Sequence, residues 1–202
     1  TKLETITLSE SSFSLFVGQS LTLSFETNLE DNADESFVWK SSNTMVATVD
    51  SNGKVTGVSE GSATITITGN EEVTASCTIQ VSNILATGLS IVGNTQVGIG
   101  ETIMMVSTIT PSNTTVKTLT WSSSNEAIAT VAKGIVSGIK SGSVTISATT
   151  TNGITASYEV SVIKKVTSIT ITPSTGSIYV GSKITLKVNY QPTDAVNKTV
   201  TW

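Results

Sequence analysis

A tryptophan-centred motif recurs in this chain at intervals of 82 and 81 residues. Residues 119–125 (LTWSSSN) precede an ATV run at 129–131, and residues 38–43 (VWKSSN) precede the same run at 47–49. A third copy begins at 200–202 (VTW). This period is longer than the ~20–50 residues of solenoid repeats. The repeat therefore predicts an array of small domains: module one at 1–83, module two at 84–164 and the first half of a third module at 165–202.

Alternating apolar and polar residues predict β-strands in both modules. Residues 63–67 (ATITI) place the apolar side chains on one face and the threonines on the other, and 144–148 (VTISA) repeat the pattern. The runs 75–81 and 156–162 are expected to form the last strand of each module. Asn52-Gly53 predicts a hairpin turn. About seven short strands per module predict an all-β sandwich.

Earlier in each module a short apolar segment ends in a glycine: Gly18, Gly100 and Gly181. We expect a turn with positive φ at each of these glycines. The next strand is predicted at 21–25 (LTLSF), with a counterpart at 184–188. Module two has Ser107 where those two segments have an apolar residue. The serine leaves two interpretations open, a bulge or the end of the strand.

Composition excludes several classes of protein. All 11 basic residues are lysines, the net charge is −4 and histidine is absent, so the electrostatic footprint of a nucleic-acid-binding protein is missing. The sequence contains no run of 18 apolar residues, so no membrane-spanning helix is predicted. Cys77 is the only cysteine and cannot form an intrachain disulfide, so the sandwich must be stabilised by packing.

The order of these motifs resembles the bacterial Ig-like domain, group 2 family. The resemblance rests on the Val-Gly pair that ends the early apolar segment, the tryptophan motif with its ATV run, the Asn-Gly hairpin, the GVSEG segment at 57–61 and the ATITI strand. It implies tandem Ig-like sandwiches of bacterial surface proteins or phage virion proteins, used as spacers or adhesive modules without a conserved active site. Module one departs from the pattern in the acidic loop before Trp39, so a property of that loop need not extend to module two.

Few residues are candidates for chemistry. Without histidine, no Ser-His-Asp or Cys-His arrangement can form. We expect Cys77 to be a buried, inert thiol, because reactive cysteines need exposed electropositive surroundings. The acidic cluster Glu30, Asp31, Asp34 and Glu35 could supply oxygen ligands to Ca²⁺. Since its spacing matches no EF-hand loop, we expect a solvated loop, and we expect the same of Glu71-Glu72.

Tryptophans and glycines have structural interpretations as well. Trp39, Trp121 and Trp202 could stack on sugar rings if exposed, but an Ig-like sandwich buries an aromatic at this position, so we expect core packing for all three. No Gly-Lys-Ser/Thr phosphate loop is present. We expect turn positions at the recurring glycines: 18, 57, 61, 100, 138, 142 and 181.

The sequence thus predicts no catalytic, cofactor-binding or metal-binding residue and no cofactor. We expect a non-enzymatic structural or adhesive spacer of an extracellular bacterial surface protein. The alternative is an Ig-like decoration or fibre module of a bacteriophage virion protein that contacts the host surface or its glycans. An accessory module of an enzyme is a third reading. Expected partners are a cell-surface glycan or protein, bound weakly and multivalently, with neither nucleic acid nor membrane insertion.

The chain is interpreted as a piece of a longer protein with flanking domains, since the third copy of the motif stops at Trp202. Residues 165–202 supply only the early strands of a module. We expect the rest of that core to come from sequence beyond Trp202, or from strands of a neighbouring chain.

Overall fold

The computed structural model describes residues 2–30 and 36–202, and the regular secondary structure in those ranges is almost entirely β-strand. The described residues contain no α-helix; one 3-10 turn occupies Asn70–Glu72. No described helix is long and apolar enough to cross a membrane. The chain separates into two compact units, one with residues up to Leu85 and Asn113–Val116, the other with Ala86–Ser112 and Lys117–Trp202. The all-β prediction is confirmed, and the predicted module boundaries stay predictions.

Module one has a four-stranded sheet and two smaller sheets that pack against it. Its strands are β1 (Ile6–Leu8), β2 (Ser12–Phe16), β3 (Ser20–Thr22), β4 (Phe25–Thr27), β5 (Val38–Ser41), β6 (Ala47–Val49), β7 (Lys54–Gly57), β8 (Gly61–Thr68) and β9 (Thr74–Ser82). The four-stranded sheet has the order β2-β9-β8-β5. The strands β3-β7-β6 form a second sheet, and β1 pairs with β4 in a third. Each pairing is antiparallel except that of β2 with β9, which is parallel.

The core of module one follows the alternation of its strands. Ile65 and Ile67 of β8 and Ile79 of β9 are fully buried, while the threonines between the isoleucines of β8 point the other way and are half-buried. The main cluster of buried residues joins the four-stranded sheet to β6 and β7: Leu15, Leu23, Val46, Ala47, Val55, Ala63, Ile65, Cys77, Ile79 and Val81. A smaller cluster of Leu3, Ile6 and Ile67 lies under β1. The predicted inward face of 63–67 is confirmed, and residues 75–81 lie in the last strand of the module as predicted.

Module two repeats this arrangement strand for strand. Its strands are β10 (Gly88–Val92), β11 (Gln96–Gly98), β12 (Thr102–Met104), β13 (Val106–Thr110), β14 (Leu119–Ser123), β15 (Ala129–Ala132), β16 (Ile135–Gly138), β17 (Gly142–Thr150) and β18 (Thr155–Ile163). The sheets are β11-β18-β17-β14, β12-β16-β15 and β10-β13. Again the first strand of the four-stranded sheet is parallel to the last strand of the module. Val144, Ile146 and Ala148 point into the core, as the sequence predicts.

One predicted strand is wrong. Residues 21–25 do not form a continuous strand, because the chain leaves the sheet of β3 at Leu23 and enters that of β4. The Leu23 amide donates to Gly53 O at 2.9 Å, and the Met105 amide donates to Gly134 O at 2.8 Å at the same point of module two. The buried Leu23 and Met105 side chains mark this switch between sheets. Ser107 is accordingly neither a bulge nor a strand end; it lies within β13.

Two glycines make this switch possible. A Cβ on Gly53 would lie 2.7 Å from Leu23 O and 2.8 Å from Cζ2 of Trp39. A Cβ on Gly134 would lie 3.1 Å from Met105 O and 3.2 Å from Cζ2 of Trp121. Both glycines have positive φ, 77° and 82°, which residues with a side chain rarely adopt. The hairpin before β7 and the one before β16 therefore pack directly on the tryptophan ring and on the switch point.

Residues 165–202 contain the two strands β19 (Ser168–Thr172) and β20 (Lys187–Gln191), which pair antiparallel. Most apolar side chains of this segment are exposed, including Ile169, Ile171, Ile184 and Leu186. Ala195 is an exception, with 4% of its surface accessible. The source of further strands for this segment stays a prediction.

Candidate functional site

The acidic residues form no site in the described part of the chain. Asp31, Asp34 and Glu35 lie outside the described residues, and Glu30 is exposed. Glu72 is exposed at the tip between β8 and β9. Within residues 2–30 and 36–202, no three or more histidine, cysteine, aspartate or glutamate residues gather as they would around a metal ion. The expectation that the loop at 30–35 is a solvated loop rather than a Ca²⁺ site thus stays a prediction.

Cys77 lies in the core of module one, with 1% of its surface accessible. Burial raises the pKa of its thiol, and the negative charge of Glu10 raises that pKa further. Both effects keep the sulfur protonated, whereas nucleophilic cysteines need the thiolate. The environment is that of a small core residue, in agreement with the sequence-based expectation.

The tryptophans are less buried than the sequence predicts. Trp39 and Trp121 are half-buried, because β5 and β14 that carry them are edge strands of their four-stranded sheets. Trp39 packs against both clusters of module one and meets the Phe25 ring edge-on, with 6.1 Å between ring centroids. Trp121 packs against the core of module two, and Trp202 is exposed. Core packing is therefore correct for Trp39 and Trp121, although neither ring is fully buried, and it is wrong for Trp202.

A cavity of about 330 Å³ lies beside the start of residues 165–202, lined by Gly98, Ile99, Glu101, Lys164, Lys165, Thr167 and Pro192. Its charged groups are already paired. Lys165 Nζ donates to Glu101 Oε2 at 2.6 Å, and Lys164 forms an ion pair with Asp194. Hydrogen bonds from these lysines lower the pKa of both carboxyl groups below the usual range. With its charges paired in this way, the cavity offers a ligand little beyond apolar surface.

The loops before Trp121 and Trp202 contact the linkers between modules, residues 82–84 and 163–165, a feature that the sequence analysis missed. Thr115 N–H donates to Ile84 O at 3.0 Å, and Val196 N–H donates to Lys164 O at 2.9 Å. The Thr115 hydroxyl also accepts from Ile84 N–H at 3.0 Å and donates to Asn83 Oδ1 at 2.9 Å. The loop sequences differ, so they do not indicate the contact. The sequence shows only that each loop follows its linker by about 30 residues, which becomes visible when the two repeats are aligned.

Hydroxyl groups on the outer face of the four-stranded sheet of module two bond to one another. Ser147 and Ser157 lie 2.8 Å apart through their oxygens, and Thr149 and Thr155 lie 3.0 Å apart. These are directly opposed residues of β17 and β18. Cross-strand hydroxyl pairs of this kind stabilise the sheet. The sequence predicts the outward hydroxyls, and the register that pairs them comes from the structure.

Comparison with known families agrees with this architecture. The model for the family described as bacterial Ig-like domain (group 2) matches residues 2–79 and 86–160. These two segments make up well over half of the chain. The chain belongs to the bacterial Ig-like domain (group 2) family. The resemblance inferred from the sequence motifs is thereby confirmed, as are the tandem repeat and the Ig-like fold.

Three curated relatives have different overall functions. Ice-binding protein 1 of Shewanella frigidimarina is 33% identical over 174 residues, 81% of this chain and 19% of that protein. The 3-O-alpha-D-galactosyl-alpha-L-arabinofuranosidase of Bifidobacterium longum is 43% identical over 63 residues, 31% of this chain and 6% of that protein. The Ig-like virion protein of Serratia phage KSP90 is 31% identical over 110 residues, 52% of this chain and 43% of that protein. The chain thus spans less than half the length of each.

Proposed function

We propose that this chain is a non-enzymatic structural and adhesive spacer of an extracellular bacterial surface protein. The observation that carries the proposal is the bond between each linker and the loop that follows it. The same main-chain hydrogen bond recurs at Ile84 and at Lys164, although the loop sequences differ. A hydrogen bond that recurs at each linker is expected of modules that are joined in series.

The polar groups of the modules support a role without catalysis. Cys77 is shielded, histidine is absent, and the charged residues beside the cavity of about 330 Å³ are paired with each other. Four outward hydroxyls of β17 and β18 are engaged in cross-strand pairs. A surface of this kind offers scattered weak hydrogen bonds, whereas tight binding usually needs buried aromatic or arginine anchors.

A second candidate is a module of a bacteriophage virion. The 31% identity to an Ig-like virion protein over 110 residues favours it. In that setting the modules would contact the host surface or its glycans. The match to 63 residues of a glycosidase supports a third reading, in which a separate domain holds the catalytic residues and these modules accompany it.

Location separates the first two candidates. Intact cells of the source organism are treated with a protease that cannot enter them, and an antibody against the chain follows the protein. Loss of the signal from intact cells supports the surface spacer. Co-sedimentation of the signal with purified phage particles supports the virion module instead. A signal that is protected in intact cells and absent from particles contradicts both; a cytoplasmic marker controls for lysis.

A further inference from the structure

An early strand of each module pairs in parallel with the last strand of the same module. In module one the register runs from Ser12 opposite Thr78 to Phe16 opposite Ser82. In module two it runs from Gln96 opposite Ser161 to Gly98 opposite Ile163. The other pairings within each four-stranded sheet are antiparallel. The segment near the N-terminal end of each module is thus bonded directly to the segment at its C-terminal end.

Main-chain bonds extend both ladders at each end. Thr78 N–H donates to Ser11 O at 3.0 Å before the first ladder, and Val17 N–H donates to Ser82 O at 3.0 Å after it. In module two, Ser161 N–H donates to Thr95 O at 2.8 Å, and Ile99 N–H donates to Ile163 O at 3.1 Å. The parallel ladder and both flanking bonds are therefore conserved between modules that share little sequence in this region.

The direction of these strands decides how the module responds to tension. When a module is pulled by its two ends, β2 is drawn toward its own N-terminal end and β9 toward its own C-terminal end. Parallel strands then slide along each other in opposite directions. Hydrogen bonds in a parallel ladder are evenly spaced, so all of them bear the load together. If the strands were antiparallel, the same load would open the ladder from one end, bond by bond.

We propose that the β2–β9 and β11–β18 ladders are mechanical clamps that resist stretching of the chain along its length. β1 lies ahead of β2 in the chain and pairs with β4 over only three residues, so it detaches first and takes Ile6 out of the smaller core cluster. The clamp is the step that must break before the main core cluster opens, because it joins the first strand of that cluster to the last strand of the module. The buried residues Leu15 and Val81, one on each strand of the first clamp, hold the two strands on the core.

The biological purpose of the clamps rests on the proposed spacer function, since a spacer between a cell and an attached surface is pulled at both ends. The test does not rest on it. A chain without clamps could still be a surface spacer, and a chain with clamps could still be located elsewhere, so the two proposals fail separately.

The test compares two directions of pulling on one protein. Ser11→Cys and Ser76→Cys place exposed attachment points at the same end of β2 and β9, whereas the chain ends load the ladder in shear. Cys77 is buried and stays unlabelled. Pulling through residues 11 and 76 loads module one alone and releases up to about 230 Å, whereas each module pulled by the chain ends releases up to about 280 Å. The same double variant, pulled by its ends, is the matched control.

We expect module one to open at a lower force through residues 11 and 76 than through the chain ends. Equal force distributions in the two directions would overturn the proposal. This comparison does not depend on any destabilising substitution.

A second comparison removes one bond of the clamp. Val17→Pro deletes the amide that donates to Ser82 O, and Val17→Ala keeps that amide while removing the packing of the side chain. At a constant end-to-end load, Val17→Pro should shorten the lifetime of folded module one about two- to tenfold relative to Val17→Ala, the factor given by one net hydrogen bond. Because the two modules release nearly equal lengths, the opening event with the same lifetime in both variants is assigned to module two, which carries no substitution. Equal lifetimes for the two variants would contradict the clamp.

Discussion

Trp39 and Trp121 show how one side chain connects the two layers of a module. Each ring lies on an edge strand, packs against the core and contacts a hairpin glycine from the opposite sheet. The contact is close enough that a methyl group on Gly53 would collide with the Trp39 ring. The ring and the glycine form one packing unit, which explains why the tryptophan motif and the glycine hairpin recur together.

At this scale we predict that Trp121→Ala destabilises module two by about 3 kcal/mol, the lower end for large core truncations, because the ring is only half-buried. Urea unfolding of the full chain measures the change, with module one as the internal reference. Trp202→Ala is the matched control, since 73% of that residue is exposed, and it should leave both modules unaffected. An unchanged midpoint for module two in Trp121→Ala would show that the ring contributes nothing to the core.

The residue pattern predicts some strands well and others poorly. The alternation in β8 and β17 gives their inward faces directly, because each alternate side chain is buried against the opposite sheet. The same alternation continues through Leu23 and Met105 and hides the switch between sheets. That switch depends on hydrogen bonds to Gly53 and Gly134, about 30 residues away in sequence, which no local pattern reports.

Elements that pair over long sequence separations are the ones that sequence analysis could not assign. The apolar positions Phe13 and Leu15 indicate a strand, yet nothing near them shows that their partner is β9 or that the pairing is parallel. The loops before Trp121 and Trp202 differ in sequence. Each nevertheless makes a main-chain hydrogen bond to its linker, which does not depend on the side chain at that position.

The ion pair between Glu101 and Lys165 gives a prediction at the scale of elements. The Lys165 hydrogen bond lowers the pKa of Glu101, so the pair contributes its stabilisation above the ordinary glutamate pKa of about 4.3 and loses it as pH falls through the lower folded value. In Lys165→Gln, the pKa of Glu101 should therefore rise toward the ordinary value. NMR titration of the Glu101 side chain measures it.

Lys164→Gln is the matched control for this titration, because Lys164 pairs with Asp194 instead. It should raise the pKa of Asp194 and leave that of Glu101 in place. If Lys165→Gln does not move the pKa of Glu101, the ion pair is not formed in solution.

At the scale of the whole molecule, the fold and the family could be predicted from the sequence, because the 82- and 81-residue spacing and the strand alternation are repeated in full. Function could be predicted only as a class. Ig-like sandwiches carry many unrelated functions, so the fold alone does not select one of them. The relatives that share this module differ in function for the same reason.

Binding affinity per chain tests the central claim most directly. The full chain is applied to glycan arrays and to intact cells, once as a monomer and once displayed in many copies on a particle. The account predicts no detectable binding by the monomer at micromolar concentration, and binding by the multivalent particle, since many copies raise the apparent affinity by about 10²–10⁴ without a new contact. Submicromolar binding by the single chain would contradict it and would reveal a specific pocket.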